Sequence, residues 1–306
     1  MARQESSTIV KANGQRPKAR LDRWTALAAA SLAFLLVVAI FGPLLSRYSA
    51  AEISEESLAC PSLNHWMGTD IHGRDLLTRL LCGARISFLV GFFGAFVSLV
   101  IGSTYGALAG YAGGKVDRLL MQLVDLLYSL PTLILVIVLI ALLEAPLRKA
   151  LIGWQLTILL PYSRIFLLFL GLGLVEWLTM ARVVRSRVLV LKAAIFVQAA
   201  QVIGRSPFGI LRHHILPHLL GIVAVYLTLT VPAVILAESF LSFLGLGVEP
   251  PSASLGTLLA DGAQAINPMK MAWWLLVFPG GMLAWTLWSL NALGDKLRDL
   301  LDPSGR

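Results

Sequence analysis

The sequence predicts an all-α polytopic membrane protein: six transmembrane helices with a cytoplasmic helix–turn–helix loop. Three observations carry that prediction. Of 306 residues, 57% are hydrophobic and 14% charged, whereas a soluble domain is nearer a quarter charged. The mean hydropathy is +0.78, and the apolar residues gather in long uncharged runs of the kind that cross a bilayer. The net charge of +8 comes from basic residues between those runs rather than from one patch. That pattern fits orientation in a membrane and excludes a nucleic-acid surface.

Residues 1–23 are polar and basic and read as a cytoplasmic N-terminal tail. Residues 24–45 form the first anchor. This run is too long for a signal-peptide core and ends in Gly42-Pro43, so it is expected to be retained. Residues 46–85 read as an extracytoplasmic or interfacial segment. There Asp70/Arg74 and Asp75/Arg79 are spaced as i,i+4 pairs on an interfacial helix. The membrane core covers 86–295.

Its first run, Ile86–Tyr111, carries Gly102, Gly106 and Gly110 at small-xxx-small spacing. That spacing lets a neighbouring helix approach closely, within this subunit or in another. The third span is Leu126–Leu143 with an amphipathic lead-in from Val116. Ile152–Ser163 is too short to cross and reads as interfacial or re-entrant. Ile165–Ala181 is the fourth span; Asp125 and Glu176 fall near span ends, where either can face headgroups. Leu219–Ala237 is the fifth span and Met271–Leu293 the sixth. Residues 296–306 form a cytoplasmic C-terminal tail.

The charges set the orientation. With the N-terminus inside, the cytoplasmic segments 1–23, 112–118, 182–217 and 294–306 hold 6, 2, 6 and 3 Lys+Arg, which makes 17 of the 25. That asymmetry places both termini in the cytoplasm.

Segment 182–217 is basic, yet it is built like a structural unit. Residues 181–203 are helix formers, and Gly204 can take φ > 0 to end that helix. Ser206 is a good N-cap and Pro207 suits a first helical turn. A second short helix over 207–216 would align Phe208, Leu211 and Ile215 by i, i+3, i+7 spacing. Leu216-Pro217 then leads into the fifth span. The expected product is a helix, a tight turn and a short helix with an apolar ridge.

Ala199-Ala200, three residues, Gly204, then twelve residues to Leu216-Pro217: this spacing resembles the "EAA" loop of ABC-importer permeases, which docks on the ATPase. The likeness extends further. His65-Trp66-Met67-Gly68-Thr69-Asp70, Gly73-Arg74-Asp75-Leu76-Leu77 and Gly83-Ala84-Arg85-Ile86-Ser87 resemble the stretch before the second span of the dipeptide/oligopeptide permeases. Gly110-Tyr111, Gly113-Gly114, Asp117, Asp125 and Pro131 are similar to that family's second loop and third span. Glu238-Ser239-Phe240-Leu241-Ser242-Phe243-Leu244-Gly245-Leu246-Gly247, with Pro250-Pro251, resembles its outer loop after the fifth span. Asn291, Gly294-Asp295, Leu297-Arg298-Asp299 and Asp302-Pro303 resemble its C-terminal end.

The resemblance covers about 65–303 and points to the "C" subunit of Opp/Dpp-like importers, with a type I ABC importer permease fold. Three features depart from the pattern: Gln198 at the loop's glutamate position, His214 at an apolar one, and an unusual stretch over 144–163.

The resemblance implies a permease subunit of an ATP-driven importer of dipeptides, oligopeptides or related small solutes in a bacterial inner membrane. Relatives of this architecture also carry nickel chelates, glutathione and antimicrobial peptides. It implies four partners: a homologous B-type permease, one or two ABC ATPases, an extracytoplasmic solute-binding protein, and membrane lipid. ATP and Mg would be bound by the ATPases, and this chain would hold no cofactor. The ATPase-docking residues it implies are Gln198, Ala199, Ala200, Gly204, Pro207, Phe208, Leu211, Leu216 and Pro217. Glu238, Ser239, Phe243, Asp125 and Pro131 are candidates for a gate or translocation path. Glu238 follows nineteen uncharged residues, and the glycine-punctuated stretch 239–247 is expected to fold back over the membrane surface.

Other chemistries find little support. No G-x-x-x-x-G-K-[ST] phosphate cradle is present, nor any Ser/His/Asp, HExxH or paired-carboxylate constellation within the spans. A secondary transporter would need buried ionisable groups and broken helices in both halves. Cys60, His65, His72 and Cys82 lack metal-ligand spacing; a disulfide between the cysteines rests on parity alone.

Overall fold

Every long element is a helix because nearly every long segment is apolar and must satisfy its own backbone in lipid. The computed structural model describes residues 23–250, 252–266 and 271–301. The N-terminal tail over 1–22, Pro251 and Asp302-Pro303 lie outside the described residues.

Among the described residues the order is α1 (Arg23–Leu45), α2 (Leu76–Ala112), α3 (Gly114–Tyr128), α4 (Thr132–Gly153), a 3₁₀ turn (Thr157–Tyr162) and α5 (Ser163–Lys192). Next come α6 (Ile195–Val202), α7 (Pro207–Ile210), a π-wound turn (Leu211–Ile215), α8 (Leu216–Phe243), α9 (Leu255–Gln264) and α10 (Trp274–Leu301). Among the described residues, five helices are long and apolar enough to cross a membrane. The α3–α4 pair, bent by 90°, supplies a sixth if counted as one span.

Several expected boundaries move. The third span begins at Thr132, not Leu126, because Pro131 breaks the chain between α3 and α4. The unusual stretch 144–163 divides: α4 runs on to Gly153, and the 3₁₀ turn follows.

The main seam of the bundle is α2 against α5. Here the small-xxx-small series finds its partner within this chain. A Cβ at Gly102 would lie 2.7 Å from the Trp177 carbonyl oxygen, and one at Gly106 would enter the Ala181 backbone. From the other side, a Cβ at Gly173 would meet the Gly94 carbonyl oxygen at 2.7 Å. The two backbones touch, so only glycine fits.

The helix α5 is 30 residues long, about 45 Å at 1.5 Å per residue. It therefore continues past the expected end at Ala181. Glu176 consequently sits near the helix's middle rather than at a span end. Helices α8, α9 and α10 pack around one end of the seam with α1, and the core there includes Leu76, Ile235, Leu258 and Trp274. At the other end α6, α7 and the π-wound turn cap the bundle, burying Val197, Ile210 and Ile215.

Candidate functional site

The loop end begins with anchored helix bases. Arg185 on α5 donates two hydrogen bonds to Asp117 on α3, at 2.5 and 2.6 Å. Lys192 Nζ donates to the Tyr111 carbonyl at 2.6 Å. The helix expected over 181–203 is broken after Lys192, and α6 restarts at Ile195.

The turn that follows is a Schellman cap. Arg205 N–H donates to the Ala200 carbonyl and Gly204 N–H to that of Gln201. Gly204 takes φ 82°, the left-handed conformation that this cap requires. The spacing Ala200-x-x-x-Gly204 is thus the spacing between the ends of one capping motif. Ser206 then caps α7, accepting from Gly209 N–H.

The expected ridge is not one face. Leu211 and Ile215 are buried in the protein's own core, whereas Phe208 is 69% exposed. The divergence falls between Phe208 and Leu211; Leu211 and Ile215, at the two ends of the π winding, stay together on one buried face. Leu211 is therefore no part of an exposed docking face. Nor does the second helix end at 216, since it runs through Leu216 and Pro217 into α8.

The residues that do face outward are Ile195 (85%), Val202 (88%), Ile203 (81%) and Phe208. Gln198, Ala199, Pro207 and Pro217 are exposed beside them, Leu216 is marginally so, and Ala200 is buried. Sequence reading missed Ile195, Val202 and Ile203; the available signal was a short helix apolar on its outer side as well as its inner.

The opposite end holds Glu238, which is wholly buried. Its carboxylate accepts hydroxyl hydrogen bonds from Ser87 at 2.9 Å, Ser242 at 2.7 Å and Ser239 at 3.4 Å. Ser87 Oγ also accepts from the Leu255 N–H at the start of α9, and Ser242 Oγ from that of Val248. One carboxylate thus ties α2, α8, the turn after α8 and α9 together. The fold-back begins at Leu244, because Ser239–Phe243 complete the last turn of α8. Phe243 is partly exposed.

A second network lies close by. Asp75 does not pair with Arg79; it caps α2, accepting from Thr78 N–H. Arg79 instead joins Asp70 and Asp261 of α9, and Arg74 Nε binds Asp70 at 2.7 Å. Burial alone would push the Asp70 carboxyl up. The backbone N–H of Arg74 and the Arg79 and Arg74 guanidinium groups outweigh it and hold the group below 3.8. Cys60 and Cys82 are not bonded to each other.

Asp125 and Pro131 stand apart from Glu238. Asp125 is paired with Arg182 at 2.8 Å, level with Gly106 on the seam. Ser87 lies nineteen residues earlier on α2, about 28 Å along the axis. The gate candidates therefore belong to two ends of the bundle. Pro131 is exposed at the α3–α4 break.

An apolar helical bundle whose one end is tied by buried polar bonds, and whose other end exposes an apolar loop, is a multi-pass membrane subunit built to join an assembly. The comparisons define it further. The family of binding-protein-dependent transport system inner membrane components matches residues 102–306. The chain is 43% identical over 278 residues to the oligopeptide transport system permease protein OppC of Haemophilus influenzae, covering 90% of this chain and 83% of that one. It is 41% identical to the dipeptide transport system permease protein DppC of Bacillus subtilis (90% and 80%), and 44% identical to Escherichia coli OppC (91% and 87%). The chain belongs to this family and is a membrane-spanning permease subunit of an ABC importer.

Proposed function

We propose that this subunit imports di- and oligopeptides together with a homologous permease, driven by ABC ATPases that dock on the 195–208 face. The observation that carries the docking reading is that face: four large apolar side chains held outward on a rigidly capped turn. Such a patch is stable in water only when covered. The chain hydrolyses no ATP itself, and a separate binding protein delivers solute at the Glu238 end. The loop end is cytoplasmic and both termini lie inside, as the 17-to-8 distribution of basic residues favours. Glu238 is the latch of the outer gate, with Ser239 in the same node. The peptide reading draws support from the named relatives.

The test is reconstitution of the full importer. Phe208→Ala should weaken ATPase copurification and ATP-driven peptide uptake while the permease still inserts. Normal copurification and uptake would remove the docking assignment. With native cysteines replaced, an impermeant thiol reagent outside the cell should reach a cysteine at 252 and not one at 206; labelling at 206 would reverse the orientation.

A further inference from the structure

At the loop end, between α5 and α8, lies a cavity of about 590 Å³. Arg187, Arg298, His218, Ser186 and Tyr226 are in its wall, and no acid is among its lining residues. Neither arginine has an ion-pair partner among the described residues. Basic residues at this level also serve orientation, but orientation does not require them to converge on one cavity.

Higher on the same helix stands Glu176. It precedes Arg187 by eleven residues, which at 100° per residue returns it to within about 20° of the same face. Val183 and Val190, both in the cavity wall, lie on that face. Glu176 is partly exposed and makes no hydrogen bond or ion pair with any described residue. An unpaired carboxylate midway along a spanning helix is costly and marks a solute path by default. Glu176 and Arg187 are separated by a rise of about 17 Å. About five residues of extended chain cover that length at ~3.4 Å each.

We propose that this cavity, together with the α5 face leading up from it to Glu176, is a bipolar peptide site: Glu176 takes the free α-ammonium group, and Arg187 with Arg298 takes the free α-carboxylate. This rests on the peptide reading above and adds how the solute is oriented, carboxylate first, on its way through. The recognition uses charge-assisted hydrogen bonds, which are stronger than neutral ones.

The test is equilibrium binding of a labelled pentapeptide to the purified importer without binding protein or ATP. Free, N-acetylated and C-amidated forms would be compared in wild type, Glu176→Gln and the Arg187→Gln/Arg298→Gln pair. Wild type should prefer the free peptide about tenfold over either blocked form. Glu176→Gln should erase only the preference against acetylation, and the arginine pair only that against amidation. No peptide binding, equal binding of all three forms in wild type, or variants that weaken all forms alike would overturn the proposal. Uptake by the complete importer, measured in parallel, separates the two readings. Peptide uptake without terminus-dependent binding sinks the bipolar site alone, whereas uptake of no peptide at all sinks the substrate assignment.

Discussion

The two ends of the bundle are finished differently. At the Glu238 end, charged and polar groups are buried and partnered within the chain: Glu238 by three serines, Asp70 by two arginines. At the loop end the turn between α6 and α7 is capped, but apolar side chains are left in the open. The difference teaches where stability and assembly reside. One end is held by its own bonds; the other is rigid and incomplete. Substitutions at the first should act on the isolated subunit, and substitutions of the exposed apolar side chains at the second on the complex.

The largest expected effect is Arg79→Ala. It leaves the buried Asp70 with Arg74 as its one remaining guanidinium partner and loosens Asp261, a loss of about 3 kcal/mol, the low end for a broken buried pair, read as a lower unfolding temperature of the isolated permease. Glu238→Ala comes next, at about 2–3 kcal/mol for three hydroxyls left without their acceptor, together with ATP turnover uncoupled from solute. Glu238→Gln, which keeps an acceptor, should recover part of both. Unchanged coupling in the alanine variant would leave Glu238 a structural tie only.

Phe208→Ala should lower ATPase affinity by about 2 kcal/mol, some thirtyfold, as a hot-spot aromatic does, with the subunit's own unfolding unmoved. A drop in intrinsic stability there would erase the contrast between the ends. Gly204→Val forces a β-branched residue to positive φ, at roughly 1–2 kcal/mol. Nothing lies within 4 Å of a Cβ at this position, so the damage is to the turn and to transport, not to packing.

The smallest effect is on pH. The Asp70 carboxyl is held below 3.8 in the folded protein. Its contribution is therefore fully present above the unfolded value and is lost as pH falls through the lower, folded one. Acid unfolding should therefore show a limb below the ordinary carboxylate range, and Asp70→Asn should flatten that limb.

The fold was largely legible because lipid leaves few choices: apolar runs of span length become helices. Gly204 and Ser206 were legible because each is the residue its cap demands. The break after Lys192 was not, since Ala193 and Ala194 are good helix formers and the interruption comes from how α6 packs. Phe208, Leu211 and Ile215 were placed on one face by a regular period, but Leu211 and Ile215 pack into the core while Phe208 stays outside. The run after Ala181 was cut short by its arginines, whose charges sit on a helix that simply continues. Of the Glu238 node, the carboxylate and Ser239 were legible from their position; Ser87 was not, because it is 151 residues away.

The touching backbones of α2 and α5 carry a consequence at the level of the gene. Every single-base change in a glycine codon that alters the amino acid adds at least a Cβ, or ends the chain. At Gly102, Gly106 and Gly173 no such atom fits. These codons have no tolerated amino-acid change one step away, unlike that of Gly281, which has open space around it and no positive φ. A saturation mutational map of the gene would therefore trace the α2–α5 line of contact as paired, periodic blanks, four codons apart on the α2 side.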